Sequence, residues 1–294
     1  MKILIAISSK EYSEPTLDVG MKISRELKAS TTILDVGEKI NEFSMKDVDL
    51  ANEIIESWNI GRPGMDVLEW AYFYLIENDF IDSNAVEESF SKKILHQKSS
   101  NRAEIHLEGL TLERLNLILR NGDIIDELRD EVKTYNYDLM IIGGSGKRSM
   151  AHDFIQYIES SIFIVNNFNP DKNYRILLAV DDSPGTSKAV KYGVRVSQAF
   201  GITVDLILVS KSGDYNEDST FALERAKKMM RRCGIKTEVF LKVGDPVLNI
   251  VEAAGEDHII IMGASTQSPL AKFFMGSKPL NVIGKSNCPV LIVK

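Results

Sequence analysis

The chain has 294 residues, is 44% hydrophobic and 26% charged, and carries a net charge of −7. That length suggests about two domains, and the balance fits ordinary globular cores rather than extended disorder. The acidic excess gives no electrostatic reason to bind a nucleic-acid backbone, and no apolar run approaches the roughly 18 residues expected of a membrane span.

In chain order, Met1-Lys2-Ile3-Leu4-Ile5-Ala6-Ile7 opens on a short apolar run. It lacks the length and cleavage pattern of a signal peptide and reads as a strand. Residues from about 40 to 80 read as amphipathic helices broken at Gly61-Arg62-Pro63-Gly64. This stretch gathers Trp58, Trp70, Tyr72, Phe73 and Tyr74. Such a cluster either covers a flank of the first half or offers a surface for a protein partner or a second copy. Gly109 is placed to end a long helix in the left-handed conformation, and Gly234 does the same in the second half. The apolar runs Leu139-Met140-Ile141-Ile142-Gly143 and Ser161-Ile162-Phe163-Ile164-Val165 follow as strands. Residues 167–174, with Pro170 among them, form a linker.

The remainder repeats the beginning. Ile176-Leu177-Leu178-Ala179-Val180 matches Ile3-Leu4-Ile5-Ala6-Ile7 at an offset of 173, as Val209 matches Val36. Val243-Gly244-Asp245 then matches Asn121-Gly122-Asp123 at an offset of 122, so the first half carries 51 extra residues between these landmarks. Ile259-Ile260-Ile261-Met262-Gly263 and Pro289-Val290-Leu291-Ile292-Val293 repeat the last two strands. Continuous apolar strands alternating with helices imply a parallel sheet covered on both faces. Ser183-Pro184 and Asp245-Pro246 are cap-and-first-turn signals, and Val247, Ile250, Val251 and Ala254 share one helical face. The expected architecture is a tandem of two doubly wound parallel α/β sheets, each with five strands and helices on both faces. The halves are 1–166, with the helical insertion at about 40–80, and 175–294.

Cys233 and Cys288 lack metal-site spacing and read as small buried apolar residues in a reducing, cytoplasmic compartment. His96, His106, His152 and His258 show no ligand spacing and default to surface or helix-end positions.

Ligands in such sheets collect beyond the carboxyl ends of the strands. In the second half those ends carry Asp181-Asp182-Ser183, Met262-Gly263-Ala264-Ser265-Thr266, and Gly276-Ser277-Lys278 before the last helix. Glycine admits a phosphate close to the backbone, and open amides at a helix start favour negative charge. The spacing from Gly263 to Gly276-Ser277, with Ala179-Val180-Asp181, Val243-Gly244-Asp245-Pro246 and the closing strand, resembles the universal stress protein family over nearly all of 174–294. The resemblance is weaker over 1–40 and 110–166.

It implies a fold like that of the adenine nucleotide alpha hydrolases and a bound ATP, ADP or AMP, to which Mg could be an accompanying ion. Asp181 then matches the position on the ribose and adenine side, and Val209 the one whose backbone reads the adenine edge. Met262 and Gly263 match the start of the phosphate loop, and Gly276, Ser277 and Lys278 its end. Thr266 stands where the family motif has its second glycine. Its side chain either crowds a triphosphate or adds a hydrogen bond.

The first half keeps Gly143 and Gly146, but Gln156-Tyr157 replaces Gly-Ser and Ser8 replaces the acid, so its pocket is expected to be degenerate. The family's habit of pairing domains implies that the two halves pack on each other and leaves a homodimer open. Gly144-Ser145-Gly146-Lys147 fails as a phosphate-binding loop of the Walker type because Ile141 and Arg148 occupy two required positions. No general base is placed by sequence, so at most slow ATP hydrolysis is expected. The expected function is nucleotide-dependent regulation; the alternative is a tandem scaffold with both pockets degenerate.

Overall fold

The computed structural model describes residues 1–39, 63–81, 96–99, 102–107, 114–144, 148–264 and 278–294. These form two compact units, Met1–Tyr137 and Asp138–Lys294.

The first unit is built on β1 (Lys2–Ile7), β2 (Ser30–Gly37), β3 (His96–Ser99), β4 (Arg102–Leu107) and β5 (Leu115–Asn121), with helices α1 (Lys10–Glu26), α2 (Met65–Glu77) and α3 (Ile124–Tyr135). Its strands lie in the order β1-β2-β5-β4-β3. The first three are parallel, while β4 runs antiparallel to β5 and β3 antiparallel to β4. The apolar residues of α2, among them Leu68, Ala71, Tyr72 and Leu75, are buried. Trp70 lies 6.0 Å from the Tyr74 ring. Of the expected helical insertion, α2 is observed, whereas residues 40–62 and Trp58 lie outside the described residues.

A long helix before Gly109 is not what forms; residues Arg102–Leu107 are a strand instead. The physical reason lies in period two. Ala103, Ile105 and Leu107 face one side and Arg102 and Glu104 the other, and both sides are buried. The polar side is closed by an ion cluster. Arg102 Nε and Nη2 donate to the two carboxylate oxygens of Glu131 at 3.0 Å each, and Arg120 Nη1 donates to Glu131 Oε2 at 2.6 Å. Glu104 and Glu127 complete the cluster on Arg102 and Arg120 at 2.5 Å. Charges removed from water in this way need paired, hydrogen-bonded partners, and α3 delivers Glu131 for that purpose. The Asp123 side chain caps that helix by accepting from Ile125 N and Asp126 N.

The second unit contains β6 (Leu139–Gly143), α4 (Arg148–Tyr157) and β7 (Ser161–Val165), followed by a full alternation of strand and helix. Its members are β8 (Arg175–Val180), α5 (Pro184–Phe200), β9 (Val204–Ser210), α6 (Glu217–Arg232), β10 (Val239–Val243), α7 (Pro246–Ala254), β11 (His258–Gly263), α8 (Lys278–Lys285) and β12 (Val290–Val293). The sheet runs β10-β9-β8-β11-β12-β7-β6. The first five strands are parallel, β12 pairs antiparallel with β7, and β6 is parallel to β7. The parallel strands are buried apolar runs, as a sheet covered on both faces requires. Val247, Ile250 and Ala254 of α7 pack with Leu177, Ile207 and Ile260 into one core. Gly234, after α6, has φ +70° as expected of a left-handed position.

Two expectations about single residues, those for Cys233 and His258, are corrected. Cys288 is buried, and burial pushes its thiol up to about 12, but Cys233 is exposed just past the end of α6. His258 is not at the surface. It opens β11 at 8% exposure, with Nδ1 2.8 Å from Asp257 Oδ1 and Nε2 3.3 Å from Asp205 Oδ2. Asp205 in turn holds Arg175 at 2.7 Å. The Asp205 carboxylate, buried at the amino ends of β8, β9 and β11, is thereby given partners without which a charge would be costly to bury. The side chains of His96, His106 and His152 lie outside the described residues.

Candidate functional site

In the second unit β8 leads through α5 to β9 on one side, while β11 joins β8 on the other. The strand order therefore reverses between β8 and β11. A crevice opens at such a reversal beyond the carboxyl ends of the strands, and it is where ligands of open α/β sheets sit. Asp181 follows β8 at this point and Gly263 ends β11. Val180 pairs with Leu208, so Val209, half-buried, stands level with Asp181 on the neighbouring strand. Met262 is buried at 5% exposure and anchors the strand end.

The carboxylate of Asp181 is held at one oxygen. Its Oδ1 accepts from Ser183 N at 3.1 Å, Ser183 Oγ at 2.5 Å and Thr186 Oγ1 at 2.6 Å. Thr186 Oγ1 also accepts from the Asp181 backbone N at 3.1 Å. Ser183 precedes α5 without capping it through its side chain, because its hydroxyl is directed to Asp181. Among the described residues, Asp181 Oδ2 has no hydrogen-bond partner. Hydrogen bonds at Oδ1 alone fix the carboxylate plane and leave the second oxygen able to accept.

The first turn of α5 also meets β11. A Cβ added at Gly263 would lie 2.6 Å from Gly185 C, and one at Gly185 would lie 2.8 Å from Ala264 O. The two backbones touch where no side chain fits, a close approach that glycine alone permits. One helical turn thus brings together Asp181, through Thr186, and the start of the glycine loop, through Gly185. Gly185 and Thr186 escaped the sequence reading. The signal for Thr186 was present: a hydroxyl five residues after the strand-ending acid, inside a helix start marked by Pro184.

Lys278 opens α8 and is exposed. Thr266, Gly276 and Ser277 lie outside the described residues. Asp182, beside Asp181, accepts from Asn216 Nδ2 at 3.3 Å, and Asn216 caps α6. Asp245 caps α7 by accepting from Leu248 N at 2.9 Å, as its sequence position implies.

The corresponding turn of the first unit keeps half of this device. Ser13 stands at the repeat position of Thr186, and its Oγ accepts from Ser8 N at 2.9 Å just as Thr186 Oγ1 accepts from Asp181 N. The hydroxyl remains, but Ser8 supplies no carboxylate.

Comparison with known proteins bears on family and fold. The family model described as "Universal stress protein family" matches residues 173–294. A universal stress protein of Methanocaldococcus jannaschii is 29% identical over 156 residues, 47% of this chain and 90% of that protein. One from Thermus aquaticus is 31% identical over 133 residues, 40% of this chain and 97% of that protein. Among solved structures, a universal stress protein from Archaeoglobus fulgidus aligns over 100% of this chain and 96% of its own, with TM-score 0.61 and 17% identity. At that identity the likeness is one of fold.

Proposed function

This chain belongs to the universal stress protein family, and from that membership we propose that its second half, 175–294, binds an adenine nucleotide and works as a nucleotide-dependent regulator. The observation that carries the reading is Asp181, braced at Oδ1 at the sheet's reversal point with Oδ2 left to accept from a sugar hydroxyl. Level with it, the Val209 main chain would read the adenine edge. The stretch from Met262 and Gly263 through Thr266 to Gly276, Ser277 and Lys278 would hold the phosphates, with amides, hydroxyls and one cation as donors.

ATP, ADP and AMP all fit this donor set. An accompanying Mg ion would arrive on the phosphates, as is usual for this ion. The first half, 1–166, would be the degenerate partner in a cytoplasmic tandem. Binding shifts a conformation or a partner only through differential affinity for two states, so this function needs no catalytic base. No helix among the described residues is long and apolar enough to cross a membrane.

A second reading is favoured by the same carboxylate. Asp181 Oδ1 is fully engaged in starting α5, a role it could fill in a scaffold that binds no nucleotide. Calorimetric titration of the full chain with ATP and with AMP separates the two. Saturable heat that Asp181→Ala weakens supports the nucleotide site; no heat at millimolar nucleotide leaves the scaffold.

A further inference from the structure

Strand β10 is the outer strand of the second unit's sheet and, among the described residues, is bonded to β9 alone. Its alternate residues Val239, Leu241 and Val243 share one side of the strand and are 37%, 54% and 57% exposed. Phe240, directed to the opposite side, packs on the core. At the start of β10, beside Val239, lies an open cavity of about 990 Å³ lined mainly by α6 and the turn 234–237 that follows it. Phe221, Arg225, Lys228 and Arg232 recur along α6 at helical spacing and line it.

Six of the cavity's lining residues are cationic and one, Glu224, is acidic. Glu224 is already bound to Lys227 at 2.7 Å. Arg225, Lys228, Arg231, Arg232 and Lys236 have no acidic partner among the described residues. Arg231 and Arg232 suit the carbonyl end of α6, where cations are favoured, and Lys242 on β10 discourages unwanted edge pairing. Neither explanation covers Arg225 and Lys228, which stand in the body of the helix. A local excess of positive charge in a chain of net charge −7 favours the approach of an anion.

We propose that the groove between α6 and β10 docks an extended acidic and apolar segment of a partner protein, added as a further strand on β10. An added strand pairs with the outward N–H and C=O groups of an edge and reads alternate side chains in pockets. On the side of the added strand that faces α6, the partner's carboxylates would lie beside Val239 and Leu241 and meet Arg225, Lys228 and Arg232, while its apolar side chains would lie on the opposite side, beside Phe240. Each exposed ion pair is weak alone, but several along one strand set its register and exclude basic sequences. A single-stranded nucleic acid fits less well: it needs repeated aromatic platforms, and Phe221 is the one aromatic residue lining the cavity.

The test is fluorescence anisotropy of the full chain with a labelled peptide alternating Glu and Val, against a Lys and Val control and a labelled single-stranded oligonucleotide. Saturable binding of the acidic peptide is expected, weakening as salt rises. Binding should fall by about tenfold or more in the triple variant Arg225→Glu, Lys228→Glu, Arg232→Glu, and separately in Leu241→Asp. These side chains are exposed, and circular dichroism melts establish that each variant folds. Equal affinity in the folded triple variant, no saturable binding of the acidic peptide, or tighter binding of the oligonucleotide would each overturn the proposal. So would a chain that dimerises through β10 and from which the peptide displaces nothing.

Discussion

Thr186 Oγ1 donates to Asp181 Oδ1 at 2.6 Å while accepting from the Asp181 backbone N at 3.1 Å, so one hydroxyl fixes both the side chain and the main chain of that acid. A hydrogen bond to a charged group is worth about 1.5–3 kcal/mol. Thr186→Val keeps the shape and removes the bond, and is expected to weaken adenine-nucleotide binding by roughly tenfold or more. Thr186→Ser should restore it. Titration calorimetry of the three proteins decides: a valine variant that binds like the parent removes Thr186 from the site.

Gly263 presses on Gly185, backbone against backbone. A methyl group on Gly263 would need β11 or α5 to move, because the atom it meets at 2.6 Å is a main-chain carbon that cannot rotate aside. Overpacking of this kind costs about 1–3 kcal/mol. Gly263→Ala should therefore lower the melting temperature and, by displacing the turn that carries Thr186, weaken nucleotide binding as well. An alanine variant with parental stability would show that the contact is slack.

Glu131 joins Arg102 and Arg120 in the first unit with no exposure of its own. Removing it leaves Arg102 with Glu104 alone and Arg120 with Glu127 alone, so the loss approaches the about 3–5 kcal/mol of a broken buried pair as an upper bound. Glu131→Ala is expected to shift the urea midpoint markedly. Exposed Glu256, paired with Lys172 at 3.2 Å, should tolerate the same change with little effect.

Asp35 lies in β2 at 3% exposure, and burial pushes its carboxyl from 3.8 up to about 7, with Asp66 adding to the rise and the Val36 backbone opposing it. A Cβ at Gly64 would collide with its Oδ2, and Gly64, at φ +96°, escapes that only as glycine. The folded chain holds this proton more tightly than the unfolded one. Stability should accordingly fall as pH rises from about 4 to 7, by an upper bound of about 4 kcal/mol at 1.36 kcal/mol per pKa unit. Asp35→Asn removes the ionisation. Melts at about pH 8 should show the variant gaining on the parent, and melts near pH 4 should show the two much closer. A constant difference across that range would assign the effect to packing.

The second unit was largely legible in the sequence because its elements obey local rules. Parallel strands appeared as unbroken apolar runs, and Asp245-Pro246 announced a helix that forms as expected. At the site, Asp181, Val209 and Gly263 fall together at the strand ends because the order of elements alone puts them there. Thr186 was harder to see, since its role depends on an acid five residues away across a bend. In the first unit the strand Arg102–Leu107 was missed for a different reason. One of its two buried faces is made of Arg102 and Glu104, whose burial depends on Glu131 arriving from a helix distant in sequence. Hydrophobic periodicity carries no trace of that pairing. His258 misled in the same way, its surroundings being supplied by Asp205 on another strand.

Ser8 and Ser13 show what duplication leaves behind. In the first half the hydroxyl of the turn is present and the acid is absent, so at this turn the two halves differ by a charge. Nucleotide should then saturate the chain at one equivalent. Ser8→Asp would place an acid at both turns and remove that one difference of charge between them.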